Sequence, residues 1–149
     1  MEWDGTTTLG LLPRRAAERW GDREAVVFKG QRYTFNQLAD RVDQLAKGLI
    51  ALGVEPGDKI AVWLNNCPEW FDLMFALAQI GAIQVPVNTR FRTADLEYLL
   101  RQADCAGVVT HDVSGPIDYL KMIRELVAVD DHDSDGLVQS SAFPHLRHI

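Results

Sequence analysis

Residues 33–64 read YTFNQLADRVDQLAKGLIALGVEPGDKIAVWL, and this stretch decides the fold class. Thr34 and Gln37 have the spacing of a capping box that starts a helix, and Gly53 is placed to end it. Between them, apolar residues recur at steps of four and three, the spacing of one helix face; they are Leu38, Val42, Leu45, Leu49 and Leu52. The mostly apolar residues 59–64 then predict a buried strand of the parallel kind.

Helices and strands alternate on both sides of this stretch. Upstream, we expect a helix over residues 9–20 and a hairpin over residues 25–33 that turns at Lys29 and Gly30. Downstream, the predicted elements are a helix at 68–80, a strand at 83–87, a helix at 93–103, a strand at 106–110 and a helix at 116–127 capped by Ser114. The alternation predicts a three-layer α/β fold, a mostly parallel sheet with helices on both faces.

Two further expectations concern how these elements are arranged. The strands near Ala25, Ile60, Ile83 and Val108 are expected to form the parallel sheet. The helix over residues 68–80 is apolar nearly all round, so we expect it to be the most buried helix. We expect residues 1–129 to form one α/β subdomain, and residues 130–149 to form an acidic loop followed by the approach to a strand.

Composition narrows the function classes. A chain of 149 residues with 47% hydrophobic and 24% charged residues suits one globular domain. The net charge of −6 argues against nucleic acid or an anionic membrane surface as a partner. Cys67 and Cys105 lie far apart in apolar settings and are predicted to be buried free thiols. Neither a signal peptide nor an apolar run of membrane length is visible, so we expect a cytoplasmic protein with no transmembrane segment.

The sequence motifs predict no catalytic, cofactor-binding or metal-binding residue in this chain. The sequence contains no phosphate-binding loop, nucleophile elbow or zinc-protease helix. Residues 131–136 begin like a calcium loop, but Ala142 stands where the closing carboxylate belongs, so we expect a hydrated acidic loop. His145 and His148 could share a metal on a helix, whereas Pro144 favours an extended segment in which they face opposite sides.

Six segments carry a broader pattern: residues 33–38, 48–61, 65–70, 77–88, 96–100 and 144–149. Their order and spacing resemble the N-terminal region of adenylate-forming acyl-CoA synthetases. Members of that family use Mg-ATP to convert a carboxylic acid into an acyl-adenylate and then transfer the acyl group to coenzyme A. The family's phosphate loop, ribose-binding acidic residue and catalytic lysine match no position here. The resemblance therefore implies ATP, Mg and coenzyme A for a full-length relative, and none of them in this chain.

The resemblance also implies what the chain is. We expect an N-terminal fragment of an AMP-forming ligase for a fatty acid or other carboxylic acid, inactive alone. The alternative is a free-standing non-catalytic interaction module derived from that family. Gly53, Gly57 and Gly81 match turn glycines, and Pro86 and Asn88 match the end of a strand beneath the family's acyl pocket. We expect a homo-oligomer, because apolar surface that the rest of the family fold would cover should face water.

Overall fold

A computed structural model describes residues 7–127, 138 and 140–149 of the chain. The chain divides into two compact units. The first contains the part of the chain before Asp58 together with Asn66–Ile83, and the second contains Asp58–Asn65 together with Gln84–Ile149. The calcium-like residues 131–136 and the predicted boundary at residue 129 lie outside the described residues, so both stay predictions.

The first unit is mainly helical. Its elements are a 3-10 helix Leu9–Leu11, α1 Leu12–Trp20, β1 Glu24–Phe28, β2 Gln31–Thr34, α2 Phe35–Ala51 and α3 Pro68–Gln79. Helix α2 packs against both α1 and α3, and the 3-10 helix packs against α3. Pro13 lies in the first turn of α1, where its missing N–H leaves no hydrogen bond unmade. The helix predicted over residues 9–20 is therefore confirmed.

Helix α2 confirms the capping box. The Gln37 backbone N–H donates to Thr34 Oγ1 at 3.2 Å, and the Thr34 N–H donates to Gln37 Oε1 at 2.9 Å. Most of the predicted apolar face is buried. Leu52 is an exception, because the helix ends at Ala51 and leaves this C-cap side chain 63% exposed.

The predicted hairpin over residues 25–33 is confirmed. The prediction that the strand near Ala25 joins the parallel sheet is wrong. Strand β1 pairs antiparallel with β2 in a two-stranded sheet, so the strand near Ala25 does not join the parallel sheet. Lys29 and Gly30 have φ values of 46° and 83°. A two-residue turn with both central residues in the left-handed region suits a tight hairpin. Because of this tight turn, β1 pairs with β2, the next strand in sequence.

Helix α3 is buried on one side. Leu73 and Leu77 are 4% and 0% exposed, while Trp70 and Met74 are half-buried. Phe71 is 45% exposed, so this apolar helix is not covered all round. Phe71 lies about 200° round the helix from Leu73, so it points away from the buried side.

A partly buried ion pair links α2 and α3. The Asp72 side chain is 6% exposed, and Arg41 Nε donates to Asp72 Oδ2 at 3.0 Å. The Arg41 guanidinium lies 4.7 Å from the centre of the Tyr33 ring, a cation–π contact. The hydrogen bond to Asp72 raises the pKa of Arg41.

The second unit contains the parallel strands. Its elements are β3 Lys59–Trp63, β4 Ile83–Pro86, α4 Thr93–Gln102, β5 Gly107–Thr110, β6 Val113–Ser114, β7 Ile117–Asp118 and α5 Tyr119–Leu126. Ile83, the first residue of β4, is counted in the first unit. The order in the main sheet is β4-β3-β5, and β3 pairs with β5 in parallel. The predicted α/β class is therefore confirmed.

The last predicted helix starts later than expected. Helix α5 begins at Tyr119, and its cap is the Asp118 carboxylate, which accepts from the Lys121 N–H at 2.8 Å. Ser114 instead belongs to the short β6–β7 hairpin, which turns at Gly115 with φ 58°. The helix prediction at 116–118 was wrong, because Pro116 lies in this turn and Ile117–Asp118 form β7 before α5 begins.

The core of the second unit joins the sheet to its helices. Its fully buried members include Ala61, Trp63, Leu96, Tyr119, Ile123 and Val127. Phe143 and Leu146 from the chain's last residues join the same core. His148 then forms a parallel bridge with Gly107 of β5. The bridge lies within the segment where we expect the approach to a strand, and that expectation stays a prediction.

Candidate functional site

The carboxyl ends of β3 and β5 meet at one edge of the second unit's sheet, because the two strands are parallel. In open α/β sheets, ligands bind outside this edge. Asn65 follows β3, Thr110 ends β5, and Asn88 follows β4 by two residues. We therefore take this edge as the candidate functional site.

Two buried aromatic residues hold the backbone at this edge. Trp63 is 0% exposed, and its Nε1 donates to the Asn88 carbonyl at 3.1 Å. Tyr119 packs on Trp63 with ring centres 4.3 Å apart, and its hydroxyl donates to the Thr89 carbonyl at 3.2 Å. The loop after β4 is thus fixed next to the end of β3. The resemblance implied that Asn88 ends a strand, and it lies just beyond one.

Three side chains at this edge, those of Asn65, Asn88 and Thr110, are uncharged hydrogen-bonding groups, whereas Asp112, two residues beyond β5, is a carboxylate that accepts from the Val113 N–H at 2.8 Å. Thr110 Oγ1 donates to the Trp63 carbonyl at 3.1 Å, and Asn65 Nδ2 donates to Ser114 Oγ. Asn88 Oδ1 accepts from the Arg90 N–H at 2.9 Å. None of these bonds pairs a nucleophile with a base. The three uncharged groups can hold and orient a ligand through hydrogen bonds.

The part of the chain that the structure describes does not fit a magnesium ion or nucleotide phosphates. Within residues 7–127, 138 and 140–149, no group of three or more His, Cys, Asp or Glu side chains could hold a metal. His145 Nε2 lies 3.9 Å from Asp104 Oδ1, while the backbone of His148 pairs with β5. The sequence also lacks a phosphate-binding loop. No catalytic step is assigned to these residues.

The two cysteines are free and differ in their surroundings. Cys105 is 2% exposed, and burial raises its pKa to about 11. Cys67 precedes α3 and is half-buried, and burial also raises its pKa. The prediction of a buried thiol is confirmed for Cys105 and only partly met by Cys67. Both groups are neutral near neutral pH.

Cys67 lines a cleft that the sequence did not predict. The cleft belongs to the first unit, has a volume of about 440 Å³, and is formed by residues 26–28, 66–68, 70 and 71. The hairpin contributes one wall and the start of α3 the other. No local pattern could predict it, because the two walls are about forty residues apart in sequence.

The turn glycines occupy the positions that the resemblance implied. Gly53, Gly57 and Gly81 have φ values of 87°, 88° and 78°. The Gly57 N–H donates to the Gly81 carbonyl at 2.8 Å. A side chain at either position of this pair would be strained. These glycines shape the scaffold of the first unit.

No helix in the described parts of the chain combines the length and the apolar character that a membrane crossing needs.

Comparisons with known proteins match nearly the whole chain. The chain is 35% identical over 143 residues to YngI of Bacillus subtilis (strain 168). The matched segment covers 95% of this chain and 26% of YngI. It is 32% identical over 145 residues to the mitochondrial medium-chain acyl-CoA ligase ACSF2 of Mus musculus, covering 96% of this chain and 24% of ACSF2. A solved N-terminal domain of FACL13 from Mycobacterium tuberculosis superposes with a TM-score of 0.74 at 26% identity, covering 85% of this chain and 31% of that one.

The chain therefore spans about a quarter of the length of these two curated relatives. The family model described as AMP-binding enzyme matches residues 13–146, which include most of both units and the candidate site. That match covers well over half of the chain. The chain belongs to the AMP-binding enzyme family.

Proposed function

We propose that this chain forms the N-terminal α/β part of an ATP-dependent, AMP-forming acyl-CoA ligase. Its substrate would be a fatty acid or other carboxylic acid. The observation that carries the proposal is the family match over residues 13–146. The name of the mouse relative, a medium-chain acyl-CoA ligase, supports a ligase over a free-standing interaction module.

ATP, Mg and coenzyme A are proposed as cofactors of the longer ligase and not of these residues. The carboxylate oxygen would attack the α-phosphorus of ATP and release pyrophosphate. The coenzyme A thiol would then attack the acyl carbon, releasing AMP and forming the thioester. The described residues contain no metal-holding cluster, so the groups that bind Mg-ATP would lie elsewhere in the ligase.

The part played by this chain in that ligase would be structural support at the edge of its sheet. Trp63 and Tyr119 hold the carbonyls of Asn88 and Thr89 by hydrogen bonds of 3.1 and 3.2 Å. A backbone fixed in this way can support a pocket wall at a stable position. We propose that this loop supports the acyl-binding region.

A chimera tests the proposed function. This chain would replace the aligned segment of mouse ACSF2, and exchange of labelled pyrophosphate into ATP would be measured with a medium-chain acid. We expect the folded chimera to catalyse exchange, whereas the isolated chain should show none because it lacks a phosphate-binding loop. Intact ACSF2 is the positive control. Exchange by the isolated chain, or a folded chimera without exchange, would contradict the proposal.

A cytoplasmic location is also proposed, on the basis of the sequence. The two free thiols are consistent with a reducing compartment. The mouse relative is named as mitochondrial, so a mitochondrial location is the alternative to the cytoplasm. Fractionation of cells producing the untagged protein, with detection by antibody, distinguishes them. Recovery in the mitochondrial or membrane fraction would contradict this part of the proposal.

A further inference from the structure

The cleft of the first unit is not used by the proposed ligase chemistry. Its volume of about 440 Å³ lies within the range of pockets that hold small ligands. We propose that this cleft binds a small neutral aromatic molecule carrying one hydrogen-bonding atom. The ligand would be distinct from the carboxylic acid substrate.

The aromatic character of the ligand follows from the rings in the cleft. Trp70 and Phe71 lie with ring centres 6.0 Å apart and planes at 84°, and Phe28 contributes a third ring. Aromatic rings pair favourably in such edge-to-face or offset arrangements. Val27 and Phe71 are 55% and 45% exposed, so apolar surface now in water would be covered by a bound ring.

The neutral charge of the ligand follows from the polar groups. The described residues that line the cleft carry no charge. A carboxylate would lose its hydration there and approach the acidic Glu69, which interacts with Cys67. An ammonium group would approach Lys29, whose Nζ lies 5.2 Å from the centre of the Phe28 ring, so both charges are unfavourable. The exposed Asn66 carboxamide offers one acceptor and one donor group, which suits a single hydroxyl or carbonyl. The Cys67 thiol is neutral as well.

A second copy of the chain is a poorer fit to the cleft. A stable protein interface uses roughly 20–30 residues on each side. The cleft is formed by eight described residues, in residues 26–28, 66–68, 70 and 71. A concave surface of this size matches a small molecule better than a protein face.

Binding of 2-naphthol tests the proposal, since this molecule is a neutral aromatic with one hydroxyl. Calorimetric titration of the full chain should show saturable binding of one molecule per chain, with a Kd of about 0.1 mM for a ligand of this size. Val27→Lys should weaken binding at least about tenfold by placing a charge in the cleft. The matched control is Ile50→Lys, which changes an equally exposed residue outside the cleft and should leave the Kd unchanged.

Two further measurements locate the ligand. Saturating 2-naphthol should slow alkylation of Cys67 by iodoacetamide about fivefold, as read by mass spectrometry, because bound ligand blocks access to the thiol. Asn66→Ala should weaken binding about threefold through the lost hydrogen bond. Circular dichroism verifies that each variant is folded.

Three outcomes would overturn the proposal. The first is the absence of saturable binding by the folded wild-type chain. The second is equal binding by Val27→Lys. The third is a dimer in sedimentation that Val27→Lys abolishes while 2-naphthol fails to bind, which would mean that a second copy covers the cleft.

Discussion

At the scale of single residues, two glycines in the first unit have opposite surroundings. A Cβ atom on Gly10 would lie 2.5 Å from Gln79 Cα, closer than any normal contact between such atoms. A Cβ atom on Gly48 within α2 would meet nothing within 4 Å apart from its chain neighbours and the backbone of its own helix. The 3-10 helix therefore approaches α3 only because residue 10 lacks a side chain. At position 48, by contrast, no close contact requires glycine.

Alanine substitutions should separate these two roles. Gly10→Ala is expected to lower the free energy of unfolding by about 1–3 kcal/mol, because backbone must move to admit the methyl group. Gly48→Ala is the matched control and should raise it by about 0.5–1 kcal/mol through better helix propensity. Urea denaturation measures both changes. Equal effects from the two substitutions would show that the close approach at Gly10 is not rigid.

At the scale of elements, α2 and α3 are joined by charge as well as by apolar packing. Arg41 and Asp72 lie 31 residues apart in sequence and meet through a hydrogen bond of 3.0 Å. Removing the cation would leave the Asp72 carboxylate without its partner in an environment where its side chain is 6% exposed. The exposed pair of Arg32 and Glu24 in the hairpin has no such constraint, since both side chains are more than half exposed.

Arg41→Met should therefore cost much more stability than Arg32→Met. We expect about 2–4 kcal/mol for Arg41→Met, because a buried charge loses its partner. Arg32→Met should cost no more than about 1 kcal/mol, the usual value for an exposed pair. Guanidinium denaturation monitored by circular dichroism gives both values. Similar losses would mean that water replaces the guanidinium at Asp72.

The last residues of the chain are hydrogen-bonded at the start of β5 in the second unit. From this contact we predict that the stability of the fold depends on pH. The Arg147 N–H donates to the Ala106 carbonyl at 2.8 Å, and the Val108 N–H donates to the His148 carbonyl at 3.0 Å. Burial lowers the pKa of His148, and the positive charge of Arg147 lowers it further, against a smaller opposite effect of Asp58. The folded state therefore binds a proton at His148 less readily than the unfolded chain does.

Stability should fall as the pH drops below the ordinary histidine pKa of 6.5. The unfolded chain takes up the proton first, so the contribution of neutral His148 is present above that pH and is lost as the pH falls through the lowered pKa. We expect the free energy of unfolding to decrease from about pH 7.5 to about pH 5.5, and less steeply in His148→Gln. Identical pH slopes for wild type and variant would exclude this role.

Elements with local signals were the predictable part of the fold. The hairpin turn at Lys29 and Gly30 and the capping box at Thr34 depend on neighbours in sequence, and both are present. The β6–β7 hairpin was missed because its strands are two residues long. Neither the exposure of Phe71 nor the presence of the cleft was predictable. Both depend on which side of α3 packs against its neighbours, and the local apolar pattern does not determine that side. At the candidate site, the resemblance indicated Asn88, but the hydrogen bonds from Trp63 and Tyr119 have no sequence signature.

At the scale of the whole molecule, apolar side chains at the surface bear on self-association. Large apolar side chains are exposed in both units, including Leu9, Leu11, Ile50, Leu52, Tyr98 and Val113. Side chains of this kind mark contact surfaces when they lie together. The net charge of −6 opposes unlimited growth of an assembly. The homo-oligomer expected from the sequence stays a prediction.

Sedimentation velocity at micromolar concentration should reveal a dimer, the simplest closed assembly. Leu52→Asp is expected to weaken the dimer if the end of α2 is part of the contact, because it places a charge in an apolar interface. A single monomeric species that does not bind a hydrophobic dye would contradict the prediction.

The path of the chain has a consequence for how this region can be inherited. The chain leaves the first unit after Gly57, forms β3 in the second, returns at Asn66 and leaves again after Ile83. Neither unit is encoded by one uninterrupted stretch of codons. A recombination event with a single crossover cannot transfer one unit whole and leave the other intact. Lineages that exchange parts of this family by such events should therefore move both units as one block, and breakpoints should be rare between Asp58 and Ile83.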